Sequence, residues 1–284
     1  MCWTPTDGIS RSLSRLRLEG SLSIKLPGQI VDSGWLEAHL GHDQLRTVDL
    51  RDRDVYEKGH LPGAVQTNLK DFGHSSAGLS DMLLPPEEFE MQMARLGISS
   101  EDTIVTYDDS WGLPAARLVW ALHHYGHSSA AALDGGWDRW KEELRPDDNA
   151  IVAGGSAIFR VGTNPDVSAD YDWLMAHMER ADVILLDTRS QAEFDQGHLP
   201  GAICWDWFRA IPEESWRTSR SPDELLPELA QIGVTESSEV VTYCAAGMRS
   251  AHTYVVLRQA GFPRVRLYDG SWQDWSSRSC RDDD

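Results

Sequence analysis

Short apolar blocks alternate along the chain with longer amphipathic ones, and this alternation predicts strands and helices in turn. The runs at Ile104–Tyr107 and Glu239–Tyr243 are typical of strands that are buried on both faces. Helices are predicted at Pro86–Leu96, Ala115–Tyr125, Ser221–Ile232 and Ser250–Ala260. Strands that alternate with helices build a mostly parallel sheet covered by helices, so the pattern indicates an α/β fold.

The chain contains the same pattern twice. Residues 47–65 read TVDLRDRDVYEKGHLPGAV, and residues 185–203 read LLDTRSQAEFDQGHLPGAI. Further along, LDGGWDRW at Leu133–Trp140 parallels YDGSWQDW at Tyr268–Trp275. Internal similarity of this length indicates a duplicated structural unit. We therefore predict two tandem domains of one fold.

The repeat also sets the predicted boundaries. We predict an N-terminal extension over residues 1–25, a first domain over 26–145, a linker over 146–166 and a second domain over 167–284. The linker is rich in Pro, Gly, Asn and Asp, which is typical of a connection. Residues Ile9–Lys25 are rich in Ser, Arg and Leu, a composition that transit peptides share, but we favour a plain extension.

Charge and cysteine content exclude several classes of partner and site. The 284 residues include 26 basic and 45 acidic side chains, for a formal net charge of −19. Such a surface repels nucleic acid and anionic membranes, and no apolar run approaches the roughly 20 residues of a membrane span. The cysteines Cys2, Cys204, Cys244 and Cys280 show no zinc-ligand spacing, so we predict no metal and reduced thiols in the cytoplasm. A mitochondrial location follows only if the extension is a transit peptide.

The two domains serve as controls for each other, because a feature present in both serves the fold and a feature present in one is a candidate for chemistry. GHLPGA occurs in both, so we interpret His60 and His198 as structural residues that hydrogen-bond their own loops. The loop after the VTY strand differs: it is CAAGMRS at Cys244–Ser250 and DDSWGLPAAR at Asp108–Arg117. Open α/β sheets bind ligands beyond the carboxyl ends of their strands, where these loops lie. A thiol in one loop and a carboxylate in the other indicate one working site and one retired site.

The composition of the Cys244 loop favours a thiolate. The loop precedes a predicted helix, so its backbone N–H groups and the helix N-terminus place partial positive charge around the sulfur. Ala245, Ala246 and Gly247 let the backbone wrap closely, and Arg249 adds a full positive charge. The thiolate is the nucleophilic form of cysteine, and a persulfide on the same sulfur is also an anion. Cys244 is therefore the predicted nucleophile.

The loop CAAGMRS resembles the active-site loop of rhodanese domains, and GHLPGA, the Asp-x-Arg strand ends and YDGSWQDW resemble other signatures of that family. The resemblance implies two tandem rhodanese-like domains, the first inactive and the second catalytic, in the order of thiosulfate and 3-mercaptopyruvate sulfurtransferases. It implies a double displacement in which Cys244 takes sulfur from a small anionic donor and passes it, as a persulfide, to cyanide, a thiol acceptor or an acceptor protein. The implied substrate-binding residues are Arg249, Arg189, Ala245, Ala246, Gly247, Met248 and Ser250.

A thiosulfate sulfurtransferase has three alternatives. The related phosphatases carry Cys-x5-Arg, a wider ring than the Cys-x4-Arg of Cys244 and Arg249, so phosphatase activity is disfavoured. Mercaptopyruvate enzymes of the family carry a Cys-Gly-x-Gly-Val-Thr loop and a second arginine in the region where Glu193 and Phe194 stand here, and these departures favour thiosulfate. The remaining alternative is a persulfide carrier or a rhodanese-type interaction module that binds a protein partner.

The resemblance also bears on assembly and on the position of the site. It implies no metal or organic cofactor and favours a monomer. The loops of Asp108 and Cys244 occupy equivalent edges of their sheets, so we expect the active-site cleft to form between the two domains.

Overall fold

Two parallel sheets of five strands each form the frame of the molecule. The structure, a computed structural model, describes residues 24–76, 78–213 and 218–279. Nearly all of the predicted N-terminal extension, with Cys2, and the terminal Cys280 lie outside the described residues. The two helix-flanked parallel sheets confirm the predicted α/β fold class.

The first sheet has the strand order β1-β7-β6-β2-β3, with every neighbouring pair parallel. The strands of the first domain are β1 (Ile30–Val31), β2 (Leu45–Asp49), β3 (Val65–Gln66), β4 (Gly73–Ser76), β5 (Leu79–Leu83), β6 (Thr103–Tyr107) and β7 (Ala130–Leu133). Its helices are α1 (Ser33–His39), α2 (Arg53–Tyr56), α3 (Pro86–Arg95), α4 (Leu113–His124) and α5 (Gly136–Glu142), with a 3-10 turn at Leu69–Phe72. Strands β4 and β5 form a separate antiparallel hairpin.

The second sheet repeats the arrangement of the first. Its strands are β8 (Ser168–Ala169), β9 (Val183–Asp187), β10 (Ile203–Cys204), β11 (Glu239–Tyr243) and β12 (Val265–Tyr268), in the parallel order β8-β12-β11-β9-β10. The helices are α6 (Tyr171–His177), α7 (Gln191–Asp195), α8 (Pro222–Gln231), α9 (Met248–Gln259) and α10 (Ser271–Ser279), with 3-10 turns at Pro165–Val167 and Trp207–Ala210. Among the described residues, no helix combines the length and apolar character that crossing a membrane requires.

The central strands place the two candidate loops at equivalent edges. β6 and β11 are buried at every position, which requires helices on both faces of each sheet. In register, Tyr107 lies beside Asp49 and Tyr243 lies beside Asp187. Asp108 and Cys244, the next residues along the chain, therefore leave their sheets at corresponding points.

Helices α4 and α9 are buried along most of their length because they pack against each other and against the sheets. Residues Ala115–His123 of α4 and Ser250–Leu257 of α9 are all buried, and the two helices pack against each other. The largest hydrophobic cluster draws side chains from both domains. All four helices predicted from the sequence are present, with ends that differ by at most two residues.

The β4–β5 hairpin connects the first domain to the second. The backbone N–H of Leu83 donates to Asp269 Oδ2 at 3.1 Å, and the N–H of Ser80 donates to Gln273 Oε1 at 3.1 Å. These bonds reach the segment that carries α10. The hairpin therefore covers one side of the space between the two domains.

Candidate active site

Cys244 lies at the carboxyl end of β11, in a loop that ends at the first turn of α9. Its backbone N–H donates to Ser271 Oγ at 3.2 Å, and its carbonyl accepts the N–H of Trp272 at 2.9 Å. Gly247 occupies the N-cap position of α9 with a φ of +91°, a left-handed conformation that favours glycine. The loop is thus fixed both to the start of α10 and to the start of α9.

The sulfur of Cys244 is surrounded by hydrogen-bond donors. Sγ accepts the N–H of Gly247 at 3.1 Å and faces the hydroxyl of Ser250 at 3.6 Å. The residue is only 2% exposed, so these groups take the place of water around the sulfur. Gly247 and Ser250 therefore lie where the sequence predicted a cradle for an anionic sulfur.

The surroundings of Cys244 favour the thiolate. Burial by itself raises the pKa of the thiol, but the N–H and hydroxyl of Ser250, the charge of Arg249 and the N–H of Ala246 oppose it. The net result is a pKa for Cys244 below its ordinary value of 9.0. For Cys204 the pKa moves the other way, because burial and the charges of Asp187 and Asp206 raise it.

Alkylation by iodoacetamide is expected to distinguish these two thiols. The rate at Cys244 should fall as the pH drops through its lowered pKa, because protonation removes the reactive thiolate. The rate at Cys204 should fall at a higher pH. Peptide mass spectrometry over a series of pH values measures both midpoints in one sample, and equal midpoints would contradict the assigned electrostatics.

Arg249 is tied to a carboxylate of the second domain. Its Nη1 and Nη2 donate to the two carboxylate oxygens of Glu193, at 2.7 Å and 2.8 Å. The Arg249 guanidinium, with the hydroxyl and N–H of Ser190, lowers the pKa of Glu193 to about 2. Glu193 also closes a capping box with Ser190 at the start of α7. Much of the Arg249 charge is therefore balanced before any donor binds.

A cavity of about 450 Å³ opens beside Cys244 and is lined by both domains. The second domain contributes Cys244, Ala245, Ala246, Met248 and Arg249. The first domain contributes Leu50, Asn68, Leu69, Lys70, Phe72, Gly73, Asp81, Leu83, Pro114, Arg117, Leu118 and Ala121. This arrangement confirms the expected cleft between the domains. Lys70 and Arg117, which bring positive charge from the first domain, were not predicted as site residues.

Arg189 lies apart from this cavity. Its guanidinium forms an ion pair with Asp187 at 2.6 Å, donates to the carbonyl of Gly197 at 2.7 Å and lies over the ring of Trp272. Arg51 of the first domain makes the corresponding contacts with Asp49 and the carbonyl of Gly59. The same arrangement beside both loops favours a structural role, and the structure gives no support to the predicted contact between Arg189 and the donor.

The two GHLPGA histidines brace their own loops, as predicted. Nδ1 of His60 bonds to the carbonyl of Tyr56, and Nδ1 of His198 bonds to the carbonyl of Phe194, each at 2.9 Å. Each imidazole stacks on the aromatic ring four residues earlier. Among the described residues, no group of three His, Cys, Asp or Glu side chains is arranged to hold a metal ion.

In the first domain, a carboxylate occupies the place of the sulfur. Asp108 is buried, and its carboxylate accepts the N–H groups of Ser110 at 2.7 Å, Gly112 at 2.9 Å and Ala115 at 2.8 Å. Burial raises the pKa of Asp108 to about 6, against the opposing effect of these three N–H groups. The Asp108 loop thus also forms an anion cradle, and it fills that cradle with its own side chain.

The variant Asp108→Asn is expected to lower the free energy of unfolding by about 1–3 kcal/mol, because an amide keeps one acceptor oxygen and turns its NH₂ toward a buried N–H donor. Urea denaturation measures the change. Asp109→Asn, in the adjacent and exposed side chain, is the matched control and should leave the unfolding curve unchanged. Equal stability of the two variants would show that the cradle does not need the carboxylate.

Comparison with known proteins identifies the fold and the site together. The rhodanese-like domain family matches residues 32–143 and again residues 170–278. The chain is 33% identical over 274 residues to thiosulfate sulfurtransferase of Corynebacterium glutamicum, with 88% of each chain covered. It is 29% identical over 275 residues to the sulfur carrier protein TtuD of Thermus thermophilus, covering 88% of this chain and 94% of TtuD. The crystal structure of the 3-mercaptopyruvate sulfurtransferase SseA of Escherichia coli superposes with a TM-score of 0.77 at 25% identity, over 86% of this chain and 99% of SseA.

Two tandem sheets of this kind, with a cysteine loop at the edge of the second, define a protein of the sulfur-transferring rhodanese type. The chain belongs to the rhodanese family, as the sequence signatures indicated.

Proposed function

We propose that this protein is a thiosulfate sulfurtransferase that carries sulfur as a persulfide on Cys244. The observation that carries the proposal is the cradle around Sγ, in which Gly247 and Ser250 donate toward a buried sulfur with a lowered pKa. The named relative from Corynebacterium glutamicum supports thiosulfate as the donor. Cys244, Arg249 and the loop residues 245–250 are the proposed site.

In the first half-reaction, the Cys244 thiolate attacks the outer sulfur of thiosulfate. The bond between the two sulfur atoms of thiosulfate breaks, and sulfite leaves with the electron pair. The product is a persulfide whose terminal sulfur carries the negative charge. The N–H of Gly247, the Ser250 hydroxyl and Arg249 already lie around Sγ, and we expect them to stabilise the negative charge of the persulfide without reorganising.

In the second half-reaction, the acceptor removes the outer sulfur. Cyanide attacks the terminal sulfur through its carbon, the persulfide bond breaks, and thiocyanate leaves while the Cys244 thiolate is restored. No proton, oxidant or reductant is consumed over the two steps. Because the first product departs before the acceptor reacts, the kinetics should be ping-pong.

Glu193 supports thiosulfate over mercaptopyruvate as the donor. Mercaptopyruvate enzymes of the family carry a second arginine in the region where Glu193 stands here. Here a carboxylate stands there instead, and it is bonded to both Nη atoms of Arg249. This side of the loop therefore offers no unpaired cation for the carboxylate of mercaptopyruvate.

Intact mass spectrometry of the reduced protein before and after thiosulfate tests the proposal directly. The expected result is a gain of one sulfur atom, mapped to the peptide of Cys244 and removed by cyanide. A gain from 3-mercaptopyruvate but not from thiosulfate would replace the donor and keep the mechanism. No gain from either donor would contradict the enzymatic proposal.

A sulfur carrier is the second candidate function, because the chain is similar over nearly its whole length to a protein named as one. A carrier would gain sulfur slowly from thiosulfate and quickly from the persulfide of a partner protein. Comparing the two loading rates in the same mass assay separates the candidates.

We propose that sulfur transfer needs no cofactor beyond the covalent persulfide and that the protein acts as a monomer in the cytoplasm. Neither nucleic acid nor a membrane is a proposed partner, in keeping with the net charge of −19.

A further inference from the structure

Corresponding positions of the two domains differ in charge where they face the opposite loop. Lys70 and Phe208 are the second residues of the equivalent 3-10 turns, and Arg117 and His252 are the fifth residues of α4 and α9. Lys70 and Arg117 line the cavity of Cys244. Their counterparts face the retired loop, where Phe208 packs on Trp111 and His252 bonds to the carbonyl of Thr218, which covers Gly112.

This difference follows the chemistry of the two loops. Burial lowers the pKa of His252 to about 4, so neither Phe208 nor His252 carries charge at neutral pH. The first domain thus presents two cations to the loop with the thiol, and the second domain presents none from the same positions to the loop with the carboxylate. Because these cations occur in only one of two copies of the fold, they are not needed for folding and are candidates for a role at the Cys244 loop.

The three cations that line the cavity are not equally available. Arg249 is bonded through both Nη atoms to Glu193. Arg117 donates through Nη2 to Asp269 and to the carbonyl of Asp81, while Nη1 lies against Gly247. Lys70 is exposed, and within the described residues no carboxylate lies at ion-pair distance from its Nζ.

The backbone of Lys70 is held in place while its side chain is left free. Asn68 caps the 3-10 turn by accepting the N–H of Lys70 at 3.2 Å, and Asp71 accepts the N–H of Asn68 at 3.1 Å. Leu69 and Phe72 of the same turn also line the cavity. The turn therefore places Lys70 at the cavity, and within the described residues the ammonium group of this lysine forms no ion pair.

We propose that Lys70, from the domain that lacks the cysteine, binds the anionic end of the sulfur donor while the sulfane sulfur meets Cys244. The ligand is a small anion with sulfonate or carboxylate oxygens at one end and a transferable sulfur at the other. This inference rests on the proposed sulfur transfer and deepens it by dividing the site between the domains: the second holds the sulfur, and the first holds the charge of the donor.

Two alkylating agents of similar size, iodoacetate and iodoacetamide, test the inference without any sulfur donor. Iodoacetate carries a carboxylate and iodoacetamide does not, so the ratio of their rates at Cys244 reports a local positive charge. In Lys70→Met, the iodoacetate rate should fall by about three- to tenfold, while the iodoacetamide rate stays within about twofold of wild type. The difference should shrink in high salt, where charges are screened.

Three further variants complete the design. Lys70→Arg should restore the iodoacetate rate. Lys58→Met removes a lysine of the same domain that is 75% exposed and paired with Asp54 outside the cavity, and it should change neither rate. Asp81→Asn removes a carboxylate that lines the cavity at a φ of +56°, which asparagine tolerates, and it should raise the iodoacetate rate.

Turnover with thiosulfate and cyanide then separates this inference from the proposed function. Lys70→Met should raise the KM for thiosulfate about tenfold with little change in kcat, as expected for lost binding. A wild-type protein that does not turn over thiosulfate contradicts the proposed donor, and the alkylation ratio still decides the role of Lys70. An unchanged ratio in Lys70→Met, or an equal fall in both rates, would overturn the inference.

Discussion

The variant Cys244→Ser is expected to lower the rate of sulfur transfer by about 10⁴-fold or more, because a hydroxyl at this position does not form the sulfur–sulfur bond of the intermediate. Serine fits the space of the thiol, and the donors around Sγ remain available to Oγ. The melting temperature should therefore stay close to that of the wild type. Thiocyanate formation and the mass gain on thiosulfate treatment are the two measurements.

Cys204→Ser provides the matched control for this variant. Cys204 is half-buried on β10, where its Sγ faces the carbonyl of Arg189 at 3.7 Å, and it does not line the cavity of Cys244. Its replacement should leave turnover within about twofold of wild type, as for most substitutions away from a site. If Cys204→Ser lost sulfur transfer and Cys244→Ser retained it, Cys204 would be the nucleophile and the assignment of Cys244 would be wrong.

The variant Arg249→Ala is expected to lower kcat/KM for thiosulfate by about 10–1000-fold. Two effects combine: the pKa of Cys244 rises when the positive charge is removed, and the departing sulfite loses a cation beside the loop. The alanine variant also leaves Glu193 without its bidentate partner, so the negative charge of this carboxylate near the loop is no longer balanced by a guanidinium. Steady-state kinetics together with the pH profile of alkylation separate the effect on the thiol from the effect on binding.

Two further variants sharpen the test of Arg249. Glu193→Gln removes the opposing carboxylate and keeps Arg249, so the midpoint for alkylation of Cys244 should shift to lower pH. Arg258→Ala, at the opposite end of α9, removes a guanidinium that bonds to the carbonyl of Pro263 outside the cavity, and it serves as the control. Kinetics of Arg249→Ala that match those of the control would reduce Arg249 to a residue of the first helical turn.

The internal repeat was sufficient to predict the fold, because each repeated block of sequence lies at the same place in both domains. The VTY strands, the GHLPGA turns and the helices after the loops are local features that short-range patterning determines. The thiol and its small neighbours could be found for the same reason. Cradle and nucleophile occupy one continuous segment, Cys244–Ser250.

Contacts between side chains that are distant in the sequence could not be predicted from the sequence alone. Arg189 matched a family position, yet Asp187 and Gly197 hold its guanidinium in the same way as Asp49 and Gly59 hold Arg51. Glu193 was noted in the sequence only as the residue that stands in the region of a second family arginine, and nothing there indicated its bond to Arg249, 56 residues away. Such pairs depend on which loops the tertiary fold brings together.

The sequence did contain an indication that Lys70 and Arg117 belong to the site, although neither residue was predicted there. Both positions differ between the two copies, with Phe208 and His252 as counterparts, and the comparison that selected Cys244 applies to them equally. What the sequence lacked was the tertiary packing: α4 packs against α9 and against the 3-10 turn of Lys70, and both residues then line the cavity of Cys244. Periodicity within one helix does not say which neighbour that helix meets.

The shared packing of α4 and α9 has a consequence for the history of the chain. Each of the two helices shields the other from water. A single domain on its own would therefore expose the face of its helix that is apolar for most of its length. Once duplication had joined two such units in this way, removing either would have uncovered the other, although only the second carries the cysteine loop. The two copies now differ in what they contribute: the second holds the sulfur of Cys244, and the first supplies most of the pocket wall beside it.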